Sequence, residues 1–231
     1  MSDARRYPFI VLEGTDGSGK STLRRLLHDR LNATGPSCFM VGQFSWLDPD
    51  AGRVIMAART QRTGYSRRDL REAYATDVRL HQLHNIRPAL ATVPVIADRY
   101  IYSHAVYHEV LWGIPMEETL RFHRESDMLR PDAVIFVDTD ADIASRRVVT
   151  RGQNPRPHEN EPTLRRLHRA YQELFLDGRL GDPTLNVIRA ENTETAAAET
   201  LDAIMPRIRA LFPADDAVAH HHLREGAVQH V

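Results

Sequence analysis

Three things are scarce in this chain of 231 residues: cysteine, lysine and long apolar runs. The one cysteine, Cys38, rules out an internal disulfide framework and fits a reducing compartment. In its apolar context it reads as a small strand residue and not as a reactive thiol. No apolar stretch approaches the roughly 18 residues of a membrane span, and residues 1–6 lack a signal-peptide core. A cytoplasmic protein is the expectation. Strong charge of one sign is also missing: the formal net charge is −1, which gives no global field to attract nucleic acid or a membrane surface.

The shortage of lysine is the most informative. Of 30 basic residues only Lys20 is lysine; all the others are arginine. It stands in Gly14-Thr15-Asp16-Gly17-Ser18-Gly19-Lys20-Ser21, a match to G-x-x-x-x-G-K-[ST]. In that motif glycines let backbone N–H groups turn toward phosphate oxygens, and the following helix directs its positive dipole end at the same anion. A compact ammonium follows the β- and γ-phosphates where a wide guanidinium fork does not. Ser21 would offer its hydroxyl to Mg²⁺. The motif follows the apolar run 9–12 and precedes the helix-like 21–27, the context it requires. The loop, with Thr22 behind it, therefore predicts a nucleotide site.

Strand-like runs recur at 9–12, 37–41, 93–97, 133–137 and 185–188. Helix-like stretches lie at about 21–33, 67–90, 101–111, 116–129, 140–150, 162–177 and 194–211. This alternation predicts an α/β fold, a five-stranded parallel sheet with helices on both faces. Ligands of such sheets sit beyond the carboxyl ends of the strands, and charged residues follow there: Asp98-Arg99-Tyr100 and Asp138-Thr139-Asp140. One domain over 1–212 is expected. Residues 152–162 are polar with three prolines and suit a mobile lid spanning about 151–162. From 213 the chain has few large apolar residues and carries His220-His221-His222, which reads as a loosely ordered tail.

Phosphoryl transfer needs positive charge around the moving group and exclusion of water. Arg147 and Arg151 stand at i and i+4 on one helix face at the mouth of the polar loop. Arginines arriving with a closing lid are suited to transition-state charge. Asp98 with Arg99 at a strand end reads as a carboxylate near Mg²⁺ and an arginine on an acceptor phosphate.

With these residues in place, the chain resembles the thymidylate kinases. Residues 10–22, Ile-Val-Leu-Glu-Gly-Thr-Asp-Gly-Ser-Gly-Lys-Ser-Thr, are similar to that family's opening Glu-Gly-x-Asp-Gly-x-Gly-Lys-x-Thr. Residues 98–107 resemble its Asp-Arg-Tyr-x-x-Ser-x-x-Ala-Tyr, and Arg130-Pro131-Asp132 its Arg-Pro-Asp. The spacing agrees over roughly 7–211. The resemblance implies a three-layer P-loop kinase fold, ATP and Mg²⁺ as cofactors, a nucleotide acceptor and a homodimer. It implies that Lys20 holds the transferred phosphate, that Ser21 and Asp98 serve the metal, that Asp16 meets a 3′-hydroxyl and that Arg99 meets the acceptor phosphate. Tyr74 would stack on the base, Tyr107 would pack near the sugar, and Glu159 or Glu161 would be the lid carboxylate. Phe44, Arg79 and His104 complete the expected acceptor set.

Three departures fall on the acceptor side. Val78 stands where the family places an arginine for the pyrimidine, with Arg79 one helical position away, about 100° of rotation. The 43–46 segment, Gln-Phe-Ser-Trp, lacks the family's arginine for the acceptor phosphate. His158 stands where an aromatic usually precedes the lid glutamate. Arg79 and Arg53 are the candidates to compensate. The favoured reading is a nucleoside monophosphate kinase whose acceptor is thymidylate or a modified nucleotide. A same-fold kinase of a nucleoside or other metabolite, and a nucleotide-binding switch, are the alternatives.

Overall fold

A computed structural model of the chain describes residues 7–35, 37–60, 62, 64–151, 155–192 and 196–212. The first strand, β1 (Phe9–Glu13), is buried along its whole length, as a central parallel strand covered on both faces must be. Around it β2 (Phe39–Val41), β3 (Val95–Asp98), β4 (Ala133–Asp138) and β5 (Val187–Glu191) form one sheet in the order β2-β3-β1-β4-β5. All the pairings are parallel. The expected α/β class, strand number and strand direction are those observed.

Alternate residues divide the core into two layers. Phe9 and Val11, with Val95, Val134 and Phe136, pack against α3 (Arg67–His81), α5 (Ile101–Trp112), α6 (Met116–Glu125) and α8 (Glu161–Phe175). Ile10 and Leu12, with Ile96, Ile135 and Ile188, pack against α1 (Lys20–Thr34) and α9 (Ala197–Arg209). These are the two helical layers of a three-layer sandwich. A smaller cluster joins α2 (Pro49–Arg59) to α3 through Val54, Ile55, Leu70 and Tyr74.

Several boundaries differ from the sequence expectation. The helix α2 was not among the expected elements, although its signals are present: an Asp48 N-cap accepting from the Ala51 N–H, Pro49 in the first turn, and buried Ala51, Val54, Ile55 and Ala58. The expected 67–90 helix is three pieces, α3, a π-helical turn over Gln82–Ile86, and the short α4 (Arg87–Leu90). The Gln82 side chain inside that turn bonds the Leu129 N–H, the Tyr100 hydroxyl and the Asp127 carbonyl. The last strand begins at Val187 and runs to Glu191, because its pairing with β4 extends to Asp138. A seventh helix in this numbering, α7 (Ala141–Thr150), follows β4. The start of the expected 194–211 helix, the middle of the lid (152–154), residues 1–6 and the tail from 213 with its three histidines lie outside the described residues. Among the described residues no helix is long and apolar enough to cross a membrane.

The sheet order changes direction at β1: the chain goes to β3 on one side and β4 on the other. The carboxyl end of β1 is therefore a topological switch point, where α/β sheets bind ligands.

Candidate active site

The loop after β1 is pressed against its neighbours. Gly14 has φ +145°, and a Cβ there would lie 2.7 Å from the carbonyl oxygen of Val137 in β4. Gly17 has φ +78°, and a Cβ there would overlap the carbonyl of Ala144 in α7. Only glycine fits either position. Beyond the loop opens a cavity of about 760 Å³ lined by Asp16, Gly17, Gly19, Lys20, Ser21 and Thr22 of the loop and α1, and by Gly42, Gln43, Phe44, Trp46 and Arg59 from the chain after β2 and from α2. Among the described residues seven cations line it, Lys20, Arg24, Arg59, Arg99, Arg147, Arg151 and Arg156, against two carboxylates, Asp16 and Asp98. The chain as a whole carries −1, so this is a local concentration of positive charge suited to a polyanion.

Lys20 donates to the Gly14 carbonyl (3.0 Å), the Thr15 carbonyl (2.5 Å) and Ser18 Oγ (3.3 Å). Burial, and after it the like charge of Arg99, pull its pKa down to about 8. Ser21 and Thr22 open the helix at the cavity wall, and Asp98 faces the same space with Oδ2 3.8 Å from Arg24 Nη1. Ser21 and Asp98 thus offer hard oxygen donors to one cavity, the type Mg²⁺ takes.

Arg99 is the hub. Its backbone has φ +73°, an uncommon conformation for a residue with a side chain. Nη1 donates to Ser103 Oγ and the Tyr171 hydroxyl, both at 3.0 Å. Nη2 donates to Asp16 Oδ1 and the Tyr107 hydroxyl, also at 3.0 Å. The Tyr107 hydroxyl donates in turn to Asp16 Oδ2 at 2.6 Å. Burial works to raise the Asp16 pKa, but the Arg99 guanidinium and the hydrogen bonds outweigh it and hold the carboxyl well below the usual range. Asp16 is ionised at neutral pH.

Glu13, at the end of β1, organises this hub from below. Its Oε1 accepts from the N–H groups of Tyr100 (2.8 Å) and Ser103 (3.2 Å), and Oε2 accepts from Ser103 Oγ (2.5 Å) and the Tyr171 hydroxyl (3.2 Å). The first turn of α5 has no side-chain cap of its own. A carboxylate from the sheet supplies it.

The lid side is equally connected. Arg151 and the Arg156 N–H donate to Glu159 Oε2 at 2.5 and 2.6 Å. Arg156 Nη1 and His158 Nε2 lie 4.0 and 3.4 Å from Asp16. Of the two candidate lid carboxylates Glu159 is buried, whereas Glu161 is exposed and pairs with Arg165. Asp16, His158 and Glu159 bring ligand-type atoms within 4.8 Å of one another. With Arg99 and Arg151 already bonded to those carboxylates, the group is an ion-pair network more than a cation site.

The expected acceptor residues separate into three groups. Phe44 and Arg99 line the cavity. Tyr74 and His104 sit one layer behind it, Tyr74 meeting Phe44 edge-on at 5.7 Å and His104 stacking behind Phe44 at 6.4 Å, while Tyr107 bonds the lining residues Asp16 and Arg99 directly. Arg79 does not belong to the site. It is exposed on the outer face of α3, because the neighbouring position, Val78, is the one that turns inward. Val78 is fully buried in the core with Val41 and Val106. Arg53 is likewise turned away, toward Asp50 and the Tyr65 hydroxyl. Behind Phe44, His104, His108 and His123 form a buried group. Burial, with neighbouring rings, lowers His104 well below the ordinary value; burial first also takes His108 to about 3 and His123 to about 4. All three rings are neutral.

The strand-end carboxylate Asp138 serves a different purpose. It accepts from His168 (2.6 Å) and Arg189 (2.8 Å) and joins β4, β5 and α8. Sequence reasoning missed Arg24, Arg59 and Arg156 on the cavity wall, as well as the supporting Glu13, Asp77 and Tyr171. The Asp48-Pro49 start signal would have located α2, and so Arg59 at its last turn. Nothing local marks Tyr171, whose role arises from α8 packing across α5.

A family model described as Thymidylate kinase matches residues 12–204. The chain is 29% identical to the thymidylate kinase of Desulfotalea psychrophila over 167 residues, 71% of this chain and 80% of that one. It is 27% identical to that of Leptospira borgpetersenii over 171 residues, covering 72% and 80%. With the enzyme of Ligilactobacillus salivarius the identity is 26% over 205 residues, covering 85% and 96%.

Burial raises the Glu13 pKa despite the lowering effect of Arg99 and the hydrogen bonds. A raised folded pKa favours the protonated form, so this contribution to stability is full below the unfolded value of 4.5 and is lost as pH rises through the folded one. An amide keeps one carbonyl for the two N–H groups but puts an NH2 donor where Oε2 accepts from two hydroxyls. Glu13→Gln should keep the fold and lose less stability than Glu13→Ala. Glu13→Ala leaves two buried N–H groups and two hydroxyls without their acceptor and should cost about 2–4 kcal/mol in urea unfolding. Equal loss in both variants would show that a carbonyl accepting the Tyr100 and Ser103 N–H groups is not by itself what holds α5.

Proposed function

The chain belongs to the thymidylate kinase family, and on that footing we propose how its own residues carry out the family's chemistry. The protein is a phosphotransferase that moves the γ-phosphoryl group of ATP onto a nucleoside monophosphate. The observation that carries this reading is the charge balance of one cavity, seven cations against two carboxylates around a glycine loop. An acceptor without a phosphate would leave most of that charge unanswered.

In this reading Lys20 exchanges its carbonyl partners for phosphate oxygens, and the 14–19 loop cradles the donor. Ser21 and Asp98 would hold Mg²⁺, which when bound would supply neutralisation of the charge developing on the phosphates. Arg147 and Arg151 close on the transferring group from α7, where preorganised positive charge lowers the barrier. Glu159 keeps Arg151 and the 156–159 segment in place. Arg99 faces the acceptor phosphate while Asp16, kept ionised by the same arginine, accepts from a sugar hydroxyl. No general base is required, because a phosphate monoester has a second pKa near 6 and is already a dianion at neutral pH. Tyr74 and His104 shape the acceptor pocket through Phe44, and Tyr107 does so through Asp16 and Arg99. We extend the proposal to a kinase domain over 1–212 with its lid at about 151–162, acting in the cytoplasm as a homodimer.

An ATP-consumption assay across nucleoside monophosphates and nucleosides tests the proposal. Turnover is expected with monophosphates and not with nucleosides. Thymidylate is expected to give kcat/KM below about 10⁴ M⁻¹ s⁻¹, the lower end of ordinary enzymes, since Val78 leaves the pyrimidine without its arginine. A better acceptor is expected among other monophosphates. Efficient thymidylate turnover would show that this base is held without that contact.

Arg147→Ala should lower kcat by about 10²–10³-fold with little change in KM for ATP. A rise in KM alone would make Arg147 a binding group.

Lys20 gives a pH signature. Its folded pKa of about 8 lies below the ordinary 10.5, so folding favours the neutral amine. That stability is present above 10.5 and is lost as pH falls toward 8. Phosphate binding needs the charged form. MgATP affinity, measured by calorimetry, should therefore fall about tenfold per pH unit above 8 with proton uptake on binding. A flat profile between pH 7 and 9.5 would mean that Lys20 is not the phosphate ligand.

A further inference from the structure

The acceptor side of the cavity contains one arginine with no role so far. Arg59 is the last residue of α2, and its guanidinium carbon lies 5.1 Å from the centre of the Phe44 ring and 5.9 Å from that of Trp46. The two rings are 5.0 Å apart and tilted by 49°, making an aromatic bracket. Asp77 anchors the bracket. It is fully buried and accepts from the Ser45 N–H (3.0 Å), Ser45 Oγ (2.8 Å) and the Trp46 N–H (2.9 Å). Among the described residues no carboxylate lies within ion-pair distance of Arg59. Burial first, then the like charge of Arg156 and more weakly that of Arg99, lowers its pKa, against the opposing effects of Tyr74 and Asp16.

We propose that Arg59 is a specificity-determining residue that grips the acceptor's phosphate, held for that task by the Phe44–Trp46 bracket. The proposal rests on the reading of the protein as a nucleoside monophosphate kinase. A guanidinium lying against aromatic faces keeps its N–H edges available, and those edges match a phosphate bidentately. It lines the cavity in contact with Phe44 and Trp46 of the 43–46 segment, the segment whose counterpart in the family supplies the acceptor-phosphate arginine, and this assigns it to the acceptor. The 43–46 segment has no arginine; its aromatic residues instead position one that comes from the next helix. Three arginines, 59, 99 and 156, then converge with no surplus of carboxylate, which suits a dianionic phosphate monoester.

The test compares thymidine 5′-monophosphate with thymidine by calorimetry and steady-state kinetics on the full chain. In the wild type the monophosphate is expected to bind tighter than the nucleoside. Arg59→Ala should raise KM for the monophosphate by about 10–10²-fold, leave nucleoside binding unchanged and keep KM for MgATP within about twofold. Arg59→Met, which keeps the aliphatic stem on the rings, should behave alike and guards against a folding defect. Arg59→Lys should recover only part of the loss, and Phe44→Ala should lie between wild type and Arg59→Ala. An unchanged monophosphate KM in both Arg59→Ala and Arg59→Met, or a rise confined to MgATP, overturns the assignment of Arg59 alone. If the wild type binds and phosphorylates no monophosphate, the kinase reading fails and the role of Arg59 with it.

Discussion

A single guanidinium at the end of β3 joins β1, the glycine loop, α5 and α8. Arg99 spends four hydrogen bonds on Ser103, Tyr171, Tyr107 and Asp16, and its own N–H continues the sheet by donating to the Leu12 carbonyl. A left-handed backbone at a residue with a side chain costs of order 1–3 kcal/mol and persists only where surroundings over-determine it. Here they do. The strain places the head group beside the loop while Glu13 fixes the helix that follows. Removing any of these partners would leave a buried charge or a buried N–H group unanswered, so Arg99, Asp16, Glu13 and Tyr171 behave as one unit.

The use of arginine nearly everywhere fits this arrangement. Guanidinium stays charged when buried, so Arg99 remains a cation in a site where Lys20 has been pulled toward neutrality by the same burial. The two residues divide the work by chemistry. Fixed planar forks set the shape of the cavity, and one titratable point charge follows the phosphate.

Much of this was legible in the chain. The glycine motif located the loop, and the strand-end Asp98-Arg99 pair located the charged residues beside it, because both depend on local sequence. The parallel sheet followed from alternation of apolar runs and helices. What was not legible depended on distant packing. Arg79 and Arg53 were plausible substitutes by spacing, yet helix rotation exposes both, and Arg59 on an overlooked helix holds the position on the wall. Val78 also acquires a second meaning. It is a core residue, so the absent arginine is replaced by hydrophobic packing and not by a shifted polar group. Tyr171 stands 72 residues from Arg99, and no short pattern predicts such a contact.

The buried histidines behind Phe44 bear on how the cavity feels charge. Uncharged and almost without access to water, His104, His108 and His123 form with Tyr74 and Trp112 a water-excluding backing to the Phe44 wall. Field lines from the cationic residues are screened poorly on the aromatic side. Arg59, lying against Phe44 and Trp46, therefore acts over a longer reach than it would against bulk water.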